Sequence, residues 1–262
     1  ITDDRASGTP RPDGGTWGTS GSASVTVDGA DFTAANLTFA NSFDEAAHPE
    51  ITARQAVALL GRADRLAFDN VRFLGNQDTL YLNSPAADVP SRIYLRRCYV
   101  EGDVDFIFGR GTAVLDRCRI HSLTRGSATN NGYVTAPSTP ISRFYGFVFI
   151  NSRLKKETPS MAPNSVTLGR PWHPSGRPDA IGSAVFIGVW MDDHVGATGW
   201  SPMNSTDAVG RRVENQPGDA RFFEFGTTGP GAVSSPTRRV LTSEQAGEYT
   251  IVRVLDGWDP RQ

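Results

Sequence analysis

The sequence predicts an all-β chain wound as a solenoid. Three observations carry this: a short phrase, apolar–x–apolar–x–small, recurs along the chain; glycine and proline are abundant; and helical patterning is nearly absent. The phrase reads Leu37-Thr38-Phe39-Ala40-Asn41, then Val71-Arg72-Phe73-Leu74-Gly75, then Cys98-Tyr99-Val100-Glu101-Gly102. It returns as Cys118-Arg119-Ile120-His121-Ser122 and Val148-Phe149-Ile150-Asn151-Ser152. Such alternation marks half-buried strands, which β-branched and aromatic residues favour. The starts lie 34, 27, 20 and 30 residues apart, so the rungs are expected to share a core and to carry loops of different length. Gly 27 and Pro 17 supply 44 of the 262 residues, above the usual share of about 12%. Turns must be frequent.

The elements follow in order. Residues 1–24 are rich in Gly, Ser, Thr and Pro and read as a loop leading into a first strand at 23–27. Residues 52–60 fit either a short helix or a strand, and 83–91 interrupt the apolar pattern as an inserted loop. Residues 243–247 suit a single helical turn. Beyond Ser201 the alternation thins, so residues 201–262 are expected to wrap the outside of one domain spanning the whole chain. A solenoid needs a cap at each end. No amphipathic helix precedes the apolar Phe32, Leu37 and Phe39, so the N-terminal end of the core is expected to be uncovered, with rungs and a cap missing before it.

Charge excludes several functions. The 26 Lys+Arg and 28 Asp+Glu leave a net charge of −2, a poor balance for a nucleic-acid binder. Lys155 and Lys156 are the only lysines, so 24 of the cations are arginine. No apolar stretch approaches the ~18 residues of a membrane span, and no basic-then-apolar signal segment opens the chain. Neither nucleic acid nor membrane is an expected partner. The GxSxG, GxxxxGK[ST], HExxH and CxxC signatures are absent, which disfavours common serine hydrolases, nucleotide-binding enzymes and metalloproteases. His48, His121, His173 and His194 form no ligand spacing and read as surface or loop residues, so no metal site is expected.

Cys98 and Cys118 hold the same place in neighbouring phrases. On adjacent rungs their strands lie ~4.8 Å apart, inside the roughly 4.4–6.8 Å Cα separation of a disulfide. Two stacked free thiols are the other reading. A disulfide is the expectation for an exported protein.

What remains for chemistry is carboxylates near amides, aromatics and one arginine. Asn76-Gln77-Asp78-Thr79-Leu80-Tyr81 closes the second phrase, Asp103-Val104-Asp105-Phe106-Ile107-Phe108-Gly109 follows the third, and Leu168-Gly169-Arg170-Pro171-Trp172 comes later. Asp105 sits among bulky apolar residues and needs its charge compensated; a guanidinium does so with two parallel hydrogen bonds. Arg170, held extended by Pro171, is the candidate. Spacing alone allows a purely structural ion pair as well as a catalytic one.

These segments resemble the pectin methylesterases, which remove methyl groups from methyl-esterified homogalacturonan. The matches are QDTLY at Gln77 to Tyr81, GxVDFIFG at Gly102 to Gly109, LGRPW at Leu168 to Trp172 and the stretch Arg54-Gln55-Ala56-Val57-Ala58-Leu59. Shorter ones are Val134-Thr135-Ala136, Gly199-Trp200, Gly229-Pro230-Gly231-Ala232 and Gly257-Trp258-Asp259-Pro260. The resemblance implies a right-handed parallel β-helix lacking its first rungs, secreted, acting on pectin as a monomer and without cofactor or metal. It implies that Asp105 is the nucleophile, Asp78 the general acid and then base, and Gln77 and Gln55 the oxyanion donors. Arg170 would orient Asp105 and favour its ionised form. Trp172 would contact the sugar, with Tyr81, Val104, Phe108 and Met191 lining the cleft. Gln77 and Asp78 are consecutive, so a flat strand would send them to opposite faces; a bend there is expected. The loop at 83–91 resembles longer bacterial forms and is expected beside the site. A polygalacturonase or lyase, or a non-catalytic polysaccharide-binding β-helix, is the alternative. A glycosidase also uses two carboxylates, whereas a lyase needs a calcium site that Asp192-Asp193 is too small to form.

Overall fold

A computed structural model describes residues 1–174 and 179–262. The chain coils through three parallel sheets, returning to each after one rung. The first sheet contains Thr2–Asp3, Thr38–Asn41, Arg72–Leu74, Tyr99–Gly102, Arg119–Ser122, Arg153–Lys156 and Trp190–Met191. The second contains Val25–Val27, Leu59–Gly61, Leu80–Leu82, Val104–Gly109, Gly132–Pro137 and Val166–Gly169. The third runs from Thr33–Ala35 through Leu66–Asp69, Arg92–Arg96, Thr112–Asp116, Phe147–Ile150 and Ser183–Ile187 to Arg221–Phe225. An antiparallel hairpin, Met203–Thr206 with Arg212–Asn215, stands apart from these sheets.

In-register pairing stacks like positions over one another. In the first sheet Phe39 lies on Phe73, then Val100, Ile120, Leu154 and Met191 follow. All six are buried, because alternate residues of a strand face the same way. The third sheet contributes Phe68, Leu95, Leu115, Phe149 and Phe186 in the same manner. The Phe149 and Phe186 rings stack at 4.3 Å between centroids. Four of the five repeated phrases form strands of the first sheet. The fifth is out of phase: residues 147–150 belong to the third sheet, and the true equivalent begins at Ser152. Hydrophobicity alone could not separate the two, because both strands bury apolar residues.

Between the third and first sheets the chain turns sharply at one stacked position. Asn36, Asn70, Arg97, Arg117 and Asn151 all have φ between 51° and 56°, and Gly188 and Gly226 follow in the same column at 62° and 60°. Left-handed backbone is cheapest for Gly and Asn, and the Asn70 amide donates to Asn36 Oδ1 at 2.7 Å across rungs. Cys98 and Cys118 directly follow this corner. Both are buried and stacked as expected, but the structure holds them as free thiols. Each sulfur is directed at main-chain carbonyls: Cys98 Sγ at those of Phe68 and Arg96, and Cys118 Sγ at those of Leu95 and Asp116.

The ends differ from expectation. Residues 1–24 are not all loop: Thr2–Asp3 extends the first sheet beside Thr38–Asn41, and Gly18–Gly21 makes a helical turn. The first-rung side chains Val27, Ala34 and Phe39 are only 6%, 9% and 2% exposed, with Phe32 packed against them, while Leu37 is exposed. At the other end the tail both extends and wraps the solenoid. Arg221–Phe225 adds a strand to the third sheet, and the helices Ser243–Gly247 and Ile251–Val254 cover that sheet's outer face through Tyr249, Val254 and Leu255. Glu224, a carboxylate in the core column, is neutralised by Arg238 through bonds of 2.7 and 2.6 Å. Residues 52–60 yield a strand at Leu59–Gly61 rather than a helix. His194 lies in the turn after Met191, in keeping with a loop place, but it is fully buried, which pushes its imidazole down to about 4.

The corner generates a test. Arg117 occupies left-handed backbone with its side chain 68% exposed, so Arg117→Asn removes strain and little packing. It should stabilise the fold by about 0.5–1 kcal/mol in denaturant titrations.

Candidate active site

The outward face of the second sheet forms the floor of a cleft of about 310 Å³. Leu60, Tyr81, Phe108 and Ala136 occupy one column on successive rungs. Tyr81 and Phe108 stack at 4.1 Å with 18° between planes, and Trp172 stands over them at 6.4 and 5.7 Å. Gln55, Gln77, Asp78, Asp105 and Arg170 line the same cleft. The structure therefore brings together all five residues proposed for chemistry.

Backbone irregularity aims the two aspartates. Asp78 has φ 66°, which supplies the bend expected between Gln77 and Asp78, and its N–H donates to the Val104 carbonyl at 3.0 Å. Asp105 has φ 51° and lies in a bulge: Val104 pairs with Tyr133 but Ile107 with Thr135, so the strand carries one extra residue. Bulges re-aim side chains beside active sites. Here Phe106 and Ile107 both enter the core and Asp105 is delivered to the cleft.

Arg170 grips Asp105 with a fork, Nε to Oδ1 at 2.8 Å and Nη2 to Oδ2 at 2.6 Å. Its other face is covered by the Tyr133 ring at 3.9 Å. Gly169 lets the strand approach this closely, since a Cβ there would sit 2.1 Å from Thr135 Oγ1. Burial pushes both carboxyls above the usual aspartate range. For Asp105 the hydrogen bonds and charge of Arg170 oppose it. Asp78 is driven further up by burial and by the neighbouring Asp105, with Arg170 only partly compensating. The pair is thus polarised: Asp78 is held the more strongly towards its protonated form, and Arg170 keeps Asp105 the more readily ionised of the two.

Two expected lining residues lie elsewhere. Met191 is fully buried in the inward column of the first sheet, where its sulfur accepts from Arg238 Nη2 at 3.2 Å; strand parity turns Trp190 outward instead. Val104 is buried at the start of the bulged strand and acts through its carbonyl, not its side chain. The loop at 83–91 contributes no lining residue. Residues not anticipated are Thr19, Ala136 and Met203, which complete the wall. Ala136 lies within a segment that carried the family resemblance, whereas Thr19 and Met203 belong to segments without pattern. Asp103, pushed up to about 6 by burial, adds to the negative field on Asp78. Among the described residues no cluster of three metal-ligating side chains occurs.

The pectinesterase family model matches residues 7–257. Pectinesterase A of Dickeya chrysanthemi is 42% identical over 97% of this chain and 73% of its own length. Pectinesterase 31 of Arabidopsis thaliana is 39% identical over 91% of this chain and 66% of its own. The pectin methylesterase structure from Erwinia chrysanthemi superposes with a TM-score of 0.93 at 40% identity, covering 99% of this chain and 80% of that one. The Yersinia enterocolitica enzyme gives 0.92 at 42% identity, covering 98% and 84%. The fold is a right-handed parallel β-helix and the protein an esterase. The chain belongs to the pectinesterase family.

The raised carboxyl of Asp78 has a consequence for stability. A carboxyl that binds its proton more tightly when folded makes the native state lose stability as pH rises through the interval between the unfolded value, near 3.8, and the raised folded value. Asp78→Asn removes that penalty while keeping a residue that tolerates left-handed backbone. The variant should melt above the parent at pH 7, and the difference should vanish below about pH 3.8.

Proposed function

We propose that the protein hydrolyses methyl esters of homogalacturonan, releasing methanol and leaving galacturonate, with Asp105 as nucleophile. The observation that carries this reading is the forked Arg170–Asp105 pair beside the unforked, more strongly raised Asp78 in one open cleft. A structural ion pair has no need of a second carboxyl held towards its protonated form or of an aromatic-lined cleft. Relatives in this family include a pectin methylesterase solved with a hexasaccharide, 40% identical to this chain.

The geometry supports the following steps. Asp105, ionised and oriented by Arg170, attacks the ester carbonyl carbon. The amides of Gln77 and Gln55 donate to the tetrahedral oxyanion; the Gln55 Oε1 is buried without a partner, which leaves the NH2 end of that amide for the cleft. As the carbon–methoxy bond breaks, Asp78 gives its proton to the departing oxygen and methanol leaves. The remaining anhydride joins the galacturonate acyl group to Asp105. Asp78, now ionised, takes a proton from water, whose hydroxyl adds to the acyl carbon and expels the Asp105 carboxylate. Both aspartates end as they began. Trp172, half-buried above Tyr81 and Phe108, offers a flat face to the sugar ring. Polymeric pectin lies outside the cell, and we place the protein there.

Methanol release from highly methylated pectin tests the reading. Asp105→Asn should lower turnover at least about a thousandfold, as loss of a nucleophile does, with the circular dichroism spectrum unchanged. Full activity in that variant would refute the nucleophile assignment. Trp172→Ala should raise KM about tenfold while lowering the melting temperature by only a few degrees; a collapse in melting temperature would place Trp172 in the core instead.

A further inference from the structure

A concavity of about 690 Å³ lies apart from the catalytic cleft. It lies on the outer face of the first sheet, and its lining shares no residue with the cleft. Arg119 and Arg153 are register partners on adjacent strands, with His121 and Lys155 paired two residues further along. Both arginines are exposed, and among the described residues neither bonds to a carboxylate. Arg153 faces the Trp190 ring at 6.0 Å, and Lys155 lies over it at 4.0 Å. The two lysines are the only ones in the chain, and both line this groove. Its acidic neighbours are Asp192, 3.5 Å from Lys155, Asp193, paired with Lys156 at 2.7 Å, and Glu101, the register partner of His121 on the adjacent strand, which accepts from the Tyr99 hydroxyl. Like charges on opposed strands repel, so two free guanidiniums one rung apart raise the fold's energy unless an anion bridges them. Burial, and then the charges of Arg119 and Lys155, hold the His121 ring below its ordinary value, a local sign of that positive field.

We propose that this groove binds demethylated, anionic homogalacturonan as a second polysaccharide site outside the catalytic cleft. The proposal rests on the pectin reading above, because the product of that reaction is a chain of carboxylates. Arg119 and Arg153 are spaced by one rung, ~4.8 Å, and present forks that suit carboxylates. With a net charge of −2 for the whole chain, attraction for any polyanion is local to such a basic patch, and the pectin reading selects a carboxylate polymer over nucleic acid. Occupation here holds the esterase on the partly processed regions of the polymer while the cleft works on methylated ones.

Affinity electrophoresis in gels containing polygalacturonate tests it, with the triple variant Arg119→Ser, Arg153→Ser, Lys155→Ser beside the parent. Three surface contacts imply at least a tenfold loss of apparent affinity, with methanol release from a short methylated oligogalacturonide unchanged. Should the triple variant fail to fold, Arg119→Gln with the parent's salt dependence serves instead, and a single-charge loss with retardation abolished by salt is expected. Unchanged retardation in the variant, or stronger retardation of the parent by duplex DNA than by polygalacturonate, overturns the proposal. Failure of the pectin reading is separate: the parent would then release no methanol.

Discussion

The cleft exists because parallel rungs stack without slipping. Gln55, Gln77, Asp105, Ala136 and Arg170 span more than a hundred residues of sequence, yet each stands on or beside a successive strand of the second sheet. Register is enforced from the opposite side of the same strands, where Leu59, Leu80 and Ile107 are fully buried. A slip of one residue would turn those side chains to water and the cleft floor inward. The hydrophobic core therefore sets the spacing of the cleft's polar groups, and each rung contributes one side chain at a position its neighbours have already fixed.

On that scaffold the site is a controlled exception. Two carboxylates are buried side by side, each in backbone that costs about 1–3 kcal/mol for most residues, and one strand is interrupted by a bulge. Each irregularity does something regular strand could not. The bulge breaks alternation so that Asp105 leaves the core, and the bend lets Asp78 follow Gln77 into the same space. Arg170 then separates the two carboxyls by giving its fork to only one of them. The Arg238–Glu224 pair uses the same bonding at the C-terminal end of the core, where both partners are 3% exposed and nothing opens to solvent. What distinguishes the site from that structural pair is access and a second acid.

Much of this was legible in the sequence, for identifiable reasons. Period-two alternation with small residues at fixed offsets located four strands of the first sheet, since those strands face water on one side. The candidate site residues were legible because their segments match the family, and Asp105 also because a lone carboxylate among Phe and Ile demands a partner. The bulge was not: inserting one residue changes pairing with a strand some thirty positions away, and nothing local records it. Met191 was misplaced for the opposite reason, since whether it or Trp190 faces inward depends on phase set by the previous rung. Thr19 and Met203 reach the cleft from the lead-in turn and an antiparallel hairpin, whose positions are decided by docking rather than by periodicity.

The left-handed backbone at Asp78 and Asp105 also bears on descent. Only a few residue types sit comfortably at such torsions, chiefly Gly, Asn and Asp itself. Aspartate codons are one base change from those of asparagine and of glycine. Each acid therefore borders genetically on replacements that the main chain accepts and the proposed chemistry does not. Under the proposed mechanism, duplicated copies of this gene would lose hydrolysis in one step and keep a sound fold and cleft, so intact folds without turnover would be an easily reached branch of its lineage.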